Sequence, residues 1–245
     1  MCIRDRTWPV AVVGWITSIV QQAEASQERI NKFLKEQPEI SNGKGAFKSI
    51  SGEIELKNVS LFYPETQIKA LNNVSIKISP GTTVGIIGNI GSGKSSILDL
   101  ICRLYDPSQG SITLDGIDLK EYTLDQIRES IGYVPQNAFL FSESIENNIR
   151  FGSQKVHLER IKDVSKKAVV HNNIVSFAKG YDTLLGERGI TLSGGQIQRI
   201  SIARALIKNS KILLLDDCLS AVDTDTEEEI LKHLKKISEN KTTLI

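Results

Sequence analysis

The sequence predicts an α/β fold of the nucleotide-binding kind, and three observations carry that reading. A β-branched run, TVGIIG at residues 83–88, has the composition of a buried strand and leads straight into a glycine-rich turn. A helical pattern follows Gly93, with Ile97, Leu98, Ile101, Leu104 and Tyr105 spaced to share one face. Much later a second apolar run, Ile212 to Leu215, ends in two acids, Asp216 and Asp217. Strand, glycine-rich turn, helix and a further strand delivering carboxylates form one supersecondary plan.

The elements follow in order. Residues 8–20, WPVAVVGWITSIV, form the longest apolar stretch. It falls short of the roughly 20 residues that a spanning helix requires, and no small-residue cleavage site follows it. It reads as a buried helix or as the last turns of a membrane helix whose start is missing. Ile16, Ile19, Val20, Ala23, Ile30, Phe33 and Leu34 then recur at helical spacing between Gln, Glu, Arg and Lys. Residues 1–35 are one unit by this reading. Residues 36–52 carry Pro, Gly and Ser without periodicity and read as a linker. A domain at 53–245 opens with alternating runs, Ile54, Leu56, Val59 and then Val74, Ile76, Ile78, which predict antiparallel strands. Pro80-Gly81 is a turn and Asp115-Gly116 a hairpin turn. Residues 137–210 are mainly helical in pattern. The last helix, Thr226 to Ile237, starts with Glu227, Glu228 and Glu229 and ends with Lys235 and Lys236, a charge order that suits the helix dipole.

Composition narrows the class. Hydrophobic residues make up 40% of the 245 and charged residues 24%, ordinary for a folded domain. The net charge of +1 and the lack of a basic stripe argue against nucleic acid as a partner. Cys2, Cys102 and Cys218 are odd in number and lack metal-ligand spacing, so they read as reduced thiols.

GNIGSGKS at residues 88–95 fits the phosphate-binding pattern GxxxxGK[ST], with a strand before it and a helix after it. Gly88, Asn89, Ile90, Gly91, Ser92 and Gly93 would wrap backbone N–H groups around phosphate oxygens, and the helix start adds favourable potential for an anion. Lys94 supplies a cation to the β- and γ-phosphates, the Ser95 hydroxyl a ligand to Mg²⁺, and Ser96 continues the first turn. Asp216, at the end of its apolar strand, is placed to enter the Mg²⁺ shell. LSGGQ at residues 192–196 puts Ser193, Gly194, Gly195 and Gln196 at the start of an amphipathic helix carrying Ile200, Ala203, Leu206 and Ile207. This is a second anion cradle, and one domain rarely has use for two unless the second serves another copy's nucleotide.

With these motifs in this order, the sequence from Glu53 to Ile245 resembles the ABC transporter ATPases, for which LSGGQ is the signature. The resemblance implies a RecA-like core with an antiparallel β subdomain and an α-helical signature subdomain. It implies ATP and Mg²⁺ as ligands. It also implies a head-to-tail pairing with a second ATP-binding domain, in which each ATP lies between one phosphate loop and the other chain's LSGGQ. Tyr63 matches the aromatic that stacks on adenine. Gln136 matches the glutamine that contacts Mg²⁺ and faces the membrane domain, and Ser220 to Asp223 match the loop that communicates across the dimer. Residues 186–189, GERG, are similar to the exporter segment that meets the coupling helices. Residues 14–34 look like the end of an exporter's sixth membrane helix, which implies a cytoplasmic domain at the plasma (inner) membrane. Residues 1–6, MCIRDR, match nothing in that helix and read as foreign.

Two departures from the family pattern stand out. Asp217 occupies the position of the usual catalytic glutamate, one methylene shorter, as in degenerate subunits of heterodimeric exporters. The family's switch histidine falls by spacing beyond Ile245; His157, His171 and His233 stand elsewhere. The resemblance therefore implies a chain truncated at both ends. The leading reading is an ATP-hydrolysing exporter domain. A regulatory subunit that binds ATP without much turnover is the alternative from another class, and a soluble ABC ATPase or a P-loop kinase fits fewer of the motifs.

Overall fold

The computed structural model describes residues 4–45, 49–63, 66, 68–153, 156–186 and 192–245. They fall into two compact units, residues 1–41 and residues 42–245. The first is a single helix, α1 (Arg4–Lys35), with Pro9 in its early turns and Lys32 and Lys35 in its last. Among the described residues no helix is long and apolar enough to cross a membrane.

The second unit holds two sheets. In the first, β1 (Ile54–Phe62), β2 (Lys69–Ile78), β4 (Gln109–Leu114) and β5 (Ile117–Asp118) stand in the order β2-β1-β4-β5, all antiparallel. The β4–β5 turn has positive φ at Asp115 (52°) and Gly116 (80°), the backbone twist that a two-residue hairpin requires. In the second sheet β3 (Thr83–Val84), β8 (Thr242–Leu244), β7 (Ile212–Leu215) and β6 (Ile131–Val134) run parallel in the order β3-β8-β7-β6. Burial explains why β7 is an unbroken apolar run. Ile212 and Leu214 point into one core, with β1, β2, β4 and helix α2 (Lys94–Ile101). Leu213 and Leu215 point into the other, with α4 (Ile145–Arg150), α5 (Leu158–Lys167), α6 (His171–Ser176), α7 (Gly194–Ile207) and α8 (Thr224–Ser238). A strand covered on both faces has no polar side. Helix α3 (Leu124–Ser130) leads directly into β6.

Three sequence expectations are corrected. The run 83–88 gives only the short β3, because β3 lies at the sheet edge and pairs with β8 alone; the ladder closes at Ile86 N–H on Ile245 O (2.7 Å), and Ile87 is 99% exposed. Helix α2 stops at Ile101, so Leu104 and Tyr105 are exposed rather than on its buried face. Arg103 ends it, with φ 50° and a buried guanidinium that donates to Asp106 (3.1 Å) and to the Leu119 carbonyl (3.4 Å). Helix α7 is not amphipathic: Gln198, Ser201, Ile202 and Ala205 are buried along with Ile200, Ala203, Leu206 and Ile207, since α4, α5 and β6 enclose it.

Residues 42–45 and 51–53 are tied into the second unit. Gly43 and Gly45 donate backbone N–H groups to the Tyr122 and Glu121 carbonyls, and Asn42 Oδ1 accepts from Leu124 N at 2.9 Å. Ser51, Gly52 and Glu53 donate to the Asp115 carboxylate.

Candidate functional site

The turn between β3 and α2 opens into a cleft of about 730 Å³, inside the range of small-molecule sites. Gly93 makes the turn possible. Its φ is 87°, and a Cβ there would lie 2.5 Å from the Ala70 carbonyl oxygen, so only glycine lets α2 begin this close to β2. The helix starts at once with Lys94, Ser95 and Ser96, all lining the cleft, and no acidic side chain occupies its first turn. The free N–H groups and dipole of that helix end therefore favour an anion in the cleft. Lys94 curls back over the loop and donates Nζ to the carbonyl oxygens of Gly88 (2.7 Å) and Asn89 (2.9 Å). Ile90, Gly91 and Ser92 line the same space, and Ile90 is fully exposed at the tip.

Parallel pairing supplies the opposite wall. Val134 pairs with Leu215, and Asp216 N–H donates to the Val134 carbonyl at 2.9 Å. The two strands therefore end side by side. Gln136, two residues past β6, meets Asp217, two residues past β7: Gln136 Nε2 donates to Asp217 Oδ2 at 3.3 Å. Gln136, Asp216 and Asp217 all line the cleft. Asp217 sits at φ 44°, a left-handed conformation that Asp tolerates better than most residues. Behind them lies Asp99. Burial, and then the nearby Asp216 carboxylate, raise its pKa above the ordinary value, while a hydrogen bond from Tyr133 opposes the rise.

Tyr63 closes a third side. Its hydroxyl is 2.9 Å from Ser96 Oγ, and its ring meets Tyr105 edge to face at 5.1 Å. Ile68, just before β2, and Lys69 and Ala70, which open that strand, also line the cleft. They carry no motif, and sequence reading passes over them.

Ser193, Gly194, Gly195 and Gln196 are not in this cleft. Ser193 caps α7: its Oγ accepts from Gln196 N (3.2 Å), and Gln196 Oε1 accepts from Ser193 N (3.1 Å), a reciprocal capping box. Ser193 and Gly194 are exposed, so this helix start faces outward. Asp223 caps α8 by accepting from Thr226 N at 3.0 Å, and that bond holds its carboxyl below the usual range. Of the GERG segment, residues 187–189 lie outside the described residues, as do residues 1–3 of MCIRDR.

The donor set has the chemistry of a hard divalent cation. A hydroxyl (Ser95), a side-chain amide oxygen (Gln136) and one carboxylate (Asp216) share one cleft. That fits Mg²⁺ brought in on phosphate oxygens, which uses one or two protein carboxylates and not a protein cage. The residues present fit Mg-nucleotide.

Comparison with known proteins identifies the family. The family described as ABC transporter matches residues 71–220. The chain is 43% identical over 240 residues to the ABC transporter ATP-binding protein YknU of Bacillus subtilis, covering 97% of this chain and 41% of that protein. It is 39% identical over 238 residues to the ATP-dependent lipid A-core flippase of Escherichia coli K12, again covering 97% of this chain and 41% of the relative. The solved structure of a bacterial Atm1-family ABC exporter with ATP bound superposes with a TM-score of 0.87 at 32% identity, over 97% of this chain and 42% of that one. The chain spans about two fifths of the length of the curated relatives it matches.

Proposed function

This chain belongs to the ABC transporter family, and we propose that it is the ATP-binding and ATP-hydrolysing domain of an exporter. The observation that carries the reading is the convergence of Lys94, Ser95, Gln136, Asp216 and Asp217 on one cleft at the N-terminus of α2. Residues from three separate stretches of chain meet where a triphosphate and its cation would lie.

The roles follow from chemistry. Backbone N–H groups of residues 88–96 bind the phosphates. Lys94 exchanges its two carbonyl partners for phosphate oxygens, trading neutral hydrogen bonds for charge-assisted ones. Ser95, Asp216 and Gln136 would hold Mg²⁺, which when bound neutralises charge developing on the phosphates. Asp217 orients the attacking water as a general base, with Gln136 fixing its carboxylate. Tyr63 stacks on the adenine. Ser193 to Gln196, outside this chain's own cleft, complete the site of a second ATP-binding domain in a head-to-tail dimer, and Asp223 lies on the loop facing that partner. The exported substrate is selected by transmembrane segments of the whole protein, whose coupling helices dock on this domain at the cytoplasmic face of the plasma (inner) membrane.

The test is ATP turnover by the full-length protein in lipid vesicles, with Mg²⁺ and with the metal removed by chelation. Mg²⁺-dependent phosphate release is the expected result. Absence of any such release, with intact fold by circular dichroism, would overturn the reading.

A further inference from the structure

Between β7 and α8 the loop 216–223 carries Asp217 out of the sheet, and its shape is held from α7. Gln198 is buried on that helix, 6% exposed, and both ends of its amide are used. The Ala221 backbone N–H donates to Gln198 Oε1 at 3.0 Å, and Gln198 Nε2 donates to Ser220 Oγ at 3.1 Å. A backbone N–H can only donate, so the Ala221 bond fixes which way the amide points. Ser220 Oγ must then accept from Gln198, which leaves its one hydrogen for the Asp217 carbonyl oxygen at 3.1 Å. The bonds therefore run in one direction, from Gln198 through Ser220 to Asp217. Gly195, on the same helix, closes the contact from the other side: a Cβ there would lie 2.7 Å from the Ala221 carbonyl oxygen. The residue so held is the one at φ 44°, a conformation that persists where its surroundings determine it.

We propose that Gln198 is a positioning residue for Asp217, acting through the Ser220 hydroxyl to fix the backbone from which the Asp217 carboxylate reaches the cleft. The inference rests on the assignment of Asp217 to the water-orienting role. A merely structural glutamine would affect stability and nucleotide binding together. A positioning glutamine affects turnover and leaves nucleotide binding in place, because none of its partners is in the phosphate loop.

Two substitutions in the full-length protein separate these outcomes. Gln198→Glu can still accept from Ala221 N–H, but it also demands the Ser220 hydrogen and so takes it from Asp217. Ser220→Ala removes the relay at an exposed position, where loss of fold is not a concern. Each is expected to lower ATP turnover at saturating ATP by about tenfold or more, since a misplacement near 1 Å costs on the order of a hundredfold. Calorimetric Mg-ATP affinity should stay within about twofold, and the double variant should be no slower than the slower single, as members of one relay are not additive. Turnover of Ser220→Ala within twofold of the unmodified protein, or losses that multiply in the double variant, would overturn the proposal. Hydrogen exchange gives a readout independent of turnover. In Gln198→Leu the Ala221 amide should lose protection while the amides of β7 keep theirs; unchanged protection at Ala221 would also overturn it. If the unmodified protein releases no phosphate at all, the assignment of Asp217 fails, and exchange at Ala221 still decides whether Gln198 holds the loop.

Discussion

Asp115→Asn isolates one buried carboxylate. Asp115 Oδ2 accepts from Ser51 N at 2.7 Å, and Oδ1 accepts from Ser51 Oγ at 2.7 Å, Glu53 N at 2.9 Å and Gly52 N at 3.1 Å. The residue is 9% exposed. Asparagine is close in size and also tolerates the left-handed φ, so the change reads the hydrogen bonds and not the turn. Either orientation of the new amide puts an N–H₂ group against an N–H donor. Hydrogen bonds to a charged group are worth roughly 1.5–3 kcal/mol each, and a donor left without a partner costs a similar amount, so the loss should be about 2–4 kcal/mol. At about 2–4 °C per kcal/mol for a chain of this size, Tm at pH 7 should fall by about 5–15 °C in scanning calorimetry. The dependence on pH has a definite sign. Burial pushes the Asp115 carboxyl up, but the bonds from Ser51, Glu53 and Gly52 together outweigh it and hold the folded pKa below the ordinary 3.8. The stabilisation is therefore full above the unfolded value and is lost as pH falls through the folded one. The gap between the two proteins should narrow as pH drops below about 4. Equal Tm values at pH 7, or a gap that stays constant down to pH 3, would refute this account of Asp115.

Three further predictions concern the cleft and its expected partner. Lys94→Ala should weaken ATP binding by about ten- to a hundredfold in calorimetry, the worth of a charged hydrogen bond of roughly 1.5–3 kcal/mol; unchanged affinity would remove Lys94 from the site. Ser193→Arg should leave ATP binding intact, because Ser193 lies outside the cleft, yet abolish the ATP-dependent dimer in light scattering; normal dimers would show that the start of α7 does not meet a partner's nucleotide. Asp217→Glu, read in the full-length protein with any partner's phosphate loop silenced, should raise the single-site hydrolysis rate by bringing the carboxylate closer to the attacking water. An unchanged or lower rate would show that Asp217 suffices at its observed distance of 3.3 Å from Gln136.

Much of the fold was legible because its signals are local. The hairpin at Asp115-Gly116 and the strand Ile212–Leu215 follow from residues within a few positions of each other. The errors came where tertiary context overrode local preference. Residues 85–88 have strand composition but lie at a sheet edge where the ladder ends. Leu104 and Tyr105 keep the helical period of α2, yet Arg103 turns the chain at φ 50° because its guanidinium finds buried carbonyls. Gln198 and Ser201 look like the polar face of α7, but packing from α4, α5 and β6 buries both.

The site divides the same way. The turn from Gly88 to Ser96 is written in contiguous residues, since glycines at forced backbone angles, a helix start and the lysine within it are all short-range features. The capping box of Ser193 and Gln196 is equally local. What the tertiary structure alone decided is which distant residues meet. Gln136 reaches Asp217 across 81 positions because Val134 pairs with Leu215 in one parallel register, and a slip of one residue would turn both side chains to the other face. Asp115 collects the donors of Ser51 to Glu53, and Gln198 grips Ser220 and Ala221, because buried polar groups must find partners and folding brings these within reach. Motifs arise from short-range geometry and so can be read along the chain; register and burial arise from the whole packed core, and no stretch of sequence contains them.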